Sequence, residues 1–240
     1  MDILDKNDDS KEYYDRIVKE KFKPTPRFFG WGLARKLRRG KKRRNKKFLL
    51  KLMPNNSVCA EIGVFQGQLS QDILTTVKPK ELYLIDPWFH DDEFFKGNYS
   101  SPKLFNIEKN EERYQLVKKK FENNPIVSII REKSEIALEK FPDNFFDWVY
   151  IDGDHSTEAV LKDLELCLKK VKPTGYITGD DIRFDENANN THKAVRKSVI
   201  KFLNEAPVEL IMIKHNQFIL QVRKKIRKNF KNLTNTFEIK

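Results

Sequence analysis

Residues 146–181 read FDWVYIDGDHSTEAVLKDLELCLKKVKPTGYITGDD, and this stretch decides the fold. Its first part is an apolar run over 147–151, which predicts a buried strand and stops abruptly at the polar residues 152–155, DGDH. The part over 156–171 has apolar residues at helical spacing and predicts a helix.

The predicted helix can be capped at its start by Ser156 or Thr157, and Pro173 and Gly175 are expected to end it. A second short strand, Tyr176–Thr178, follows. Strand, helix and strand in that order form a right-handed parallel unit, so the ends of both strands meet at one edge of a sheet.

Three carboxylates follow these two strands: Asp152 after the first, and Asp180 and Asp181 after the second. Side chains that converge in this way would repel one another unless a cation lay among them. The pattern therefore predicts a divalent-cation site at this edge of the sheet.

The length of 240 residues and the hydrophobic fraction of 39% suit one α/β domain with appendages. No apolar run approaches the roughly 20 residues that span a bilayer, and the N-terminus lacks the order of a signal peptide, so we expect a cytoplasmic protein. The two cysteines, Cys59 and Cys167, have no CxxC or histidine pairing, which excludes a disulfide scaffold and a cysteine zinc site. We expect both to be packing residues.

The formal charge of +12 is concentrated in two segments. Residues 35–47 contain ten basic residues and no acids, and residues 223–231 contain six more. Without these sixteen the balance is −4, so the core is close to neutral. We therefore divide the chain into a charged N-terminal extension (1–47), a core domain (48–223) and a basic tail (224–240).

The N-terminal basic run follows an aromatic segment, Phe28–Trp31. This arm is compatible with full solvation, with an anionic membrane or glycolipid surface to which the protein would bind peripherally, or with a nucleic-acid backbone. It is also compatible with docking on a second copy of the chain in a homo-oligomer.

A glycine-containing turn opens the core domain. The strand Val58–Ile62 leads into the pattern E-x-G-x-x-x-G, formed by Glu61, Gly63 and Gly67, ahead of a helix over 68–77. Glycines permit positive φ and let a ligand approach the main chain closely. An acid before the first glycine suits a ligand with a cationic amino group and no phosphate, and an ordinary strand-to-helix turn is the alternative.

The next strand, Glu81–Ile85, ends in Asp86, the position at which Rossmann-like folds hold ribose hydroxyls. The aromatic segment over 87–102 then forms either a lid or acceptor wall, or a surface loop. After a third strand, Ile126–Ile130, Ser134 lies where an adenine edge would bind, or it caps a short helix.

The domain ends in two alternating strands, Val208–Ile213 and Gln217–Val222, which predict an antiparallel hairpin. The glycine turn, Asp86, the IDGDH and GDD motifs and this hairpin together resemble a class I S-adenosylmethionine-dependent methyltransferase. Over residues 48–222 the chain most resembles the macrocin and sugar O-methyltransferases, and it is more distantly similar to catechol O-methyltransferase.

The resemblance implies an α/β, Rossmann-like methyltransferase fold: a mostly parallel seven-stranded sheet with a C-terminal antiparallel hairpin and helices on both faces. It also implies S-adenosyl-L-methionine as the cofactor and a divalent metal such as Mg²⁺. The acceptor it implies is a hydroxyl of a small molecule, such as a saccharide.

The resemblance further implies roles for single residues. They are Glu61, Gly63 and Gly67 at the methionine moiety, Asp86 at the ribose hydroxyls, Ser134 near the adenine, and Asp152 as a further cofactor contact. Asp152, Asp180 and Asp181 match the metal-binding positions, although the catechol family has an amide where Asp181 stands.

Methyl transfer to a hydroxyl requires removal of its proton, and His155, three residues after Asp152, is predicted to be the base. The catechol family carries a lysine there. The alternative is that His155 caps the helix or orients Asp152 or Asp154. His192 and His90 are alternative candidates for the base, or contact the acceptor, and His215 is assigned to a turn.

Two other functions stay open on the sequence. The first is a nucleic-acid methyltransferase recruited by the basic segments, although IDGDH lacks the Asn/Asp-Pro-Pro-aromatic signature of enzymes that hold a planar base. The second is a non-catalytic nucleoside-binding module at a membrane or partner surface, against which the intact acid triad argues.

Overall fold

A computed structural model describes residues 46–88, 107–184 and 188–224. In chain order the elements are α1 (46–50), β1 (Val58–Ile62), α2 (Gln68–Thr76), β2 (Glu81–Ile85), α3 (Ile107–Phe121), β3 (Val127–Ile130), α4 (Ser134–Glu139), β4 (Phe146–Ile151), α5 (Thr157–Lys170), β5 (Val171–Gly179), α6 (Asn190–Glu205), β6 (Val208–Lys214) and β7 (Gln217–Val222). Helices and strands alternate up to β6, as expected for a parallel α/β sheet.

The sheet has seven strands in the order β3-β2-β1-β4-β5-β7-β6. The first five are parallel, and β7 runs antiparallel to both β5 and β6. The predicted fold class, with its closing hairpin, is thereby confirmed. Chain order reverses between β1 and β4, so the crevice in which open α/β sheets bind ligands lies at the carboxyl ends of these two strands.

Alternate side chains of each buried strand point to opposite faces of the sheet, and helices pack on both faces, so the sheet has a core cluster on each side. Leu49 and Leu50 of α1 join one core cluster with residues of α2 and α3, together with Trp148 and Tyr150 of β4. The other cluster contains residues of α4, α5 and α6, together with Val149. The cysteines are buried, one in each cluster, which agrees with the predicted packing role.

The hairpin between β6 and β7 turns at His215 and Asn216, whose φ angles are 56° and 65°. Two consecutive positive φ values characterise the type I′ turn, whose twist matches that of paired strands. The predicted turn position of His215 is therefore confirmed.

The largest difference from the predicted boundaries is at the start of β5. The helix ends at Lys170, ahead of Pro173, but β5 begins at Val171, five residues earlier than expected. Val171 already has extended backbone angles, and the ladder with β4 shifts register between Phe146 and Trp148, so the proline lies where the regular pairing is interrupted.

Gly63 is required by the approach of two backbones. Its φ is +85°, and a Cβ atom there would lie 2.2 Å from the carbonyl oxygen of Asp152. The sequence pattern attributed this glycine to a ligand, but its immediate neighbour is the main chain that follows β4.

Several predicted segments lie outside the described residues. They are the N-terminal arm up to residue 45, most of the aromatic segment with His90 (89–106), and the tail from residue 225. The domain boundaries at residues 47 and 223 stay predictions. Within the described ranges, no helix combines the length and apolar character needed to cross a membrane.

Replacing Gly63 by alanine is expected to lower the free energy of unfolding by about 3 kcal/mol or more, because a Cβ atom would meet backbone at a positive φ. Urea denaturation measures the change. Gly153→Ala is the matched control, since a Cβ there would meet Ile62 Cγ2 at an ordinary 3.5 Å. Equal stability losses in the two variants would contradict this account of Gly63.

Candidate functional site

The candidate site lies where β1, β4 and β5 end side by side. Ile62 pairs with Ile151, and Ile151 pairs with Gly179, so the residues that follow all three strands emerge together. The amide of Asp152 donates to the carbonyl of Ile62 at 2.8 Å, and that of Asp180 donates to the carbonyl of Ile151 at 3.2 Å. The predicted meeting of the two acidic motifs at one edge of the sheet is confirmed, and the glycine turn lies beside them.

His155 lies between two of the predicted metal ligands. Its Nε2 atom is 3.1 Å from Asp181 Oδ2 and 3.7 Å from Asp152 Oδ1. Burial by itself would lower the pKa of His155, but hydrogen bonding to Asp152 and Asp181 and their charges raise it to about 10. In this arrangement the imidazole is protonated at neutral pH and balances one carboxylate.

Asp180, the third predicted ligand, lies against a lysine. Lys46 Nζ is 3.0 Å from Asp180 Oδ2 and 2.6 Å from Asp152 Oδ2. Burial would lower the pKa of the Lys46 ammonium, but Asp152 foremost and also Asp180 raise it well above its ordinary value. Conversely, burial favours the protonated form of Asp152, but Lys46 and the hydrogen bond with His155 keep its pKa below the usual value.

Asp181 has a left-handed backbone, with φ of 61°, a conformation that is uncommon outside glycine and concentrates at functional sites. A second histidine approaches it: His192 Nε2 is 3.8 Å from Asp181 Oδ1. His192 is fixed by a capping box at the start of α6, in which its Nδ1 accepts from the amide of Asn189. A neutral ring then carries its proton on Nε2, toward Asp181.

The side chains of Asp152, His155 and Asp181 fit a divalent cation. One ligand atom from each lies within 4.8 Å of the other two. Ligands about 2.1 Å from an ion are about 3 Å apart when adjacent and about 4 Å apart when opposite, so small side-chain movements would suffice. An imidazole with two carboxylates is a donor set that suits Mn²⁺, Fe²⁺ or Zn²⁺ as well as a harder ion.

Glu61 is buried at the end of β1, where its Oε2 accepts from the hydroxyl of Ser70 at 2.6 Å. Burial raises the pKa of Glu61 to about 8. A cationic ligand group beside Glu61 would stabilise its ionised carboxylate. The amino group at the predicted methionine end of the cofactor is such a group.

Asp86 holds the glycine turn in place. Its Oδ2 accepts from the amides of Val64 and Phe65, both at 2.9 Å, and its Oδ1 accepts from the amide of Trp88 at 2.9 Å. Gly67, with φ of 69°, is the N-cap of α2 and lies beneath the ring of Phe121. The predicted ribose contact of Asp86 stays a prediction, because a carboxylate oxygen can accept more than these bonds.

Ser134 is the first residue of α4, whose N-cap is Lys133, so the helix-cap alternative is wrong. Its hydroxyl donates to Asp163 Oδ1 at 2.6 Å, and burial raises the pKa of Asp163 to about 7. Its proposed place near the adenine stays a prediction. Ser156 does cap its helix, since its side chain accepts from the amide of Ala159.

Sequence reasoning missed Lys46. It stands at the end of a dense run of basic residues, where nothing in the pattern distinguishes it from its neighbours. Its side chain is 16% exposed, and only the folded chain brings it to residues more than 100 positions away.

Solved structures share this architecture at low sequence identity. A structural-genomics protein from Corynebacterium glutamicum covers 93% of this chain and 94% of its own, at a TM-score of 0.53 and 10% identity. The N-methyltransferase NodS from Bradyrhizobium japonicum covers 79% of this chain and 98% of its own, at a TM-score of 0.51 and 12% identity. A Staphylococcus aureus protein to which caffeoyl-CoA O-methyltransferase activity is attributed covers 90% of this chain and 92% of its own. Its TM-score is 0.50 and its sequence identity is 15%.

A search of curated protein sequences gives no match. A family model described as Methyltransferase domain matches residues 60–182, just over half of the chain. This region contains the glycine turn, Asp86 and both acidic motifs, and lies on the sheet described above. The chain therefore belongs to the methyltransferase-domain family and is an S-adenosylmethionine-dependent methyltransferase.

Proposed function

We propose that this enzyme methylates a hydroxyl oxygen of a small molecule, a sugar or glycoconjugate, with the help of a divalent cation. The observation that carries the proposal is the group formed by Asp152, His155 and Asp181 beside the glycine turn. Methyl transfer from a sulfonium is an in-line displacement, so the acceptor oxygen must be activated next to the cofactor.

The cofactor is proposed to bind along the carboxyl ends of β1 and β2. Glu61 faces its amino group, Gly63 and Gly67 shape the turn over its methionine moiety, and Asp86 supports the turn and takes the ribose hydroxyls. The support is the buried carboxylate of Glu61 and the contact between Gly63 and the backbone of Asp152. That contact would place the reactive end of the cofactor near the acidic cluster.

Asp152 and Asp181 would hold the cation, with Asp180 beside them and His155 next to the two ligands. When bound, a divalent cation lowers the pKa of a coordinated hydroxyl. His155 is the proposed base, and it needs a neutral imidazole. Because two carboxylates hold its pKa near 10, this neutral form is favoured only when their charge is compensated.

The acceptor class rests on the resemblance to the sugar O-methyltransferases in the IDGDH and GDD motifs. Among similar structures, one is named an N-methyltransferase and O-methyltransferase activity is attributed to another. An acidic, metal-capable cluster suits a hydroxyl better than the planar amine of a nucleobase.

Asp181→Ala is expected to lower kcat/KM about 10²-fold or more, because it removes a ligand of the cation site and a charge beside the base. The assay follows transfer of a labelled methyl group from S-adenosylmethionine to a panel of sugars, catechols and RNA. The matched control is Asp143→Ala, which removes an exposed carboxylate paired with Lys170 and should leave the rate unchanged.

Excess chelator should abolish most of the activity, and added Mg²⁺ or Mn²⁺ should restore it. Undiminished transfer in chelator would contradict the metal dependence. Methylation of RNA in preference to every hydroxylated small molecule would contradict the acceptor class.

Cofactor binding is expected to release a proton from Glu61 near pH 7. Its pKa of about 8 keeps the free carboxyl largely protonated there, and a bound ammonium would favour the ionised form. Calorimetry in buffers of different ionisation enthalpy measures the release. Glu61→Gln should bind the cofactor more weakly and lack this contribution; the same proton release in both proteins would contradict the role of Glu61.

The basic arm is proposed to bind an anionic membrane surface. A variant without residues 1–45 keeps Lys46 and should lose most of its affinity for vesicles that contain anionic lipid, while methyl transfer to a soluble acceptor stays within about threefold. Vesicle sedimentation measures binding. Unchanged sedimentation would identify the arm as a solvated appendage, and loss of RNA binding alone would favour a nucleic-acid partner.

A further inference from the structure

Lys46 is built into the acidic cluster by a firmly anchored helix. Leu49 and Leu50, on the same helix, are fully buried. The ring of Phe48 meets His215 edge-on at 6.0 Å and lies under the ammonium of Lys214 at 4.2 Å. The position of Lys46 is therefore fixed by core packing and by the hairpin turn.

The ammonium of Lys46 divides the two oxygens of Asp152 between two partners. Oδ2 accepts a hydrogen bond from Lys46 at 2.6 Å, whereas Oδ1 is the oxygen that approaches His155. Lys46 also pairs with Asp180 Oδ2 at 3.0 Å, and its Nζ lies 5.5 Å from the centre of the Tyr150 ring. One buried cation thus fills the gap between Asp152 and Asp180.

The charges of the cluster explain what this cation does. Three ionised carboxylates carry a charge of −3, and Lys46 reduces it to −2. A single divalent ion can match this charge once His155 is neutral, as its proposed role as base requires. Because the ammonium lies against Asp152 and Asp180, it would repel a metal ion bound to the same oxygens. A metal is left with Asp152 Oδ1 and Asp181 as carboxylate ligands, next to His155.

We propose that Lys46 is the resident cation of this cluster: it positions Asp152 and Asp180 and competes with a divalent ion for them. This inference rests on the proposed function only in taking the cluster as a cation site. It assigns a role to a residue outside the matched region 60–182 and defines which oxygens remain for a metal.

The test uses the full chain with Lys46→Met, which keeps the length of the side chain and removes its charge. MnCl₂ is titrated in by calorimetry, and the melting temperature is recorded without and with Mn²⁺. Lys46→Arg keeps the charge. Lys51→Met removes the same charge from an exposed position near α1 and is the matched control.

K46M should bind Mn²⁺ about tenfold or more tightly than the wild type, because a like charge is lost and Asp180 becomes available as a ligand. Its melting temperature without metal should fall, and Mn²⁺ should raise it more than in the wild type, since at one concentration a ligand that binds more tightly stabilises more. K46R and K51M should keep the Mn²⁺ affinity of the wild type within about threefold.

The double variant K46M/D180N covers the case in which K46M folds poorly. It removes a carboxylate together with its ion-pair partner and should recover most of the melting temperature lost in K46M. No recovery would overturn the proposed pairing. Unchanged or weaker Mn²⁺ binding in K46M would overturn the proposed competition between Lys46 and the divalent ion. Equal changes of Mn²⁺ affinity in K46M and K51M would overturn it as well.

Neither readout requires methyl transfer. If K46M binds Mn²⁺ more tightly but the wild-type enzyme methylates with undiminished rate in chelator, the metal-dependent mechanism fails and the resident cation stands. If chelator abolishes activity but K46M binds Mn²⁺ as the wild type does, the proposed competition by Lys46 fails and the metal-dependent mechanism stands.

Discussion

The site depends on the contact between the backbone after β1 and the backbone after β4. Parallel pairing of these strands brings Gly63 against the carbonyl of Asp152, so close that no side chain fits between them. This constraint places the cofactor turn next to the acidic cluster. Cofactor geometry and acceptor activation are therefore coupled through two adjacent strand ends, which is the usual ligand crevice of a doubly wound sheet.

Electrostatics at this edge is organised by internal counter-charges. Two positively charged side chains, His155 and Lys46, contact the acidic residues from different elements. Each pair lowers the free energy of ionised carboxylates that burial would otherwise penalise. The cluster is thus stable as a folded assembly, and any bound metal has to displace or share these partners.

Much of this arrangement could be predicted. The strands Val58–Ile62 and Glu81–Ile85, the capping of α5 by Ser156 and the closing hairpin follow from local patterns of apolar, capping and turn residues. The start of β5 could not, because Val171 joins the sheet through pairing with Phe146, a contact that overrides the local signals of Pro173 and Gly175. The position of His155 beside both Asp152 and Asp181 also depends on tertiary packing, and the role of Asp180 as a metal ligand stays a prediction.

By itself, the sequence determined that an acidic edge follows two parallel strands and that a glycine turn with Glu61 lies in the same domain, because these features depend on local spacing and on the handedness of βαβ units. Only the tertiary structure decided which charges meet. Lys46 belongs to a run of ten basic residues, and one of them reaches Asp152 because Leu49 and Leu50 anchor its helix in the core. Long-range packing, which leaves no local pattern, selects that residue.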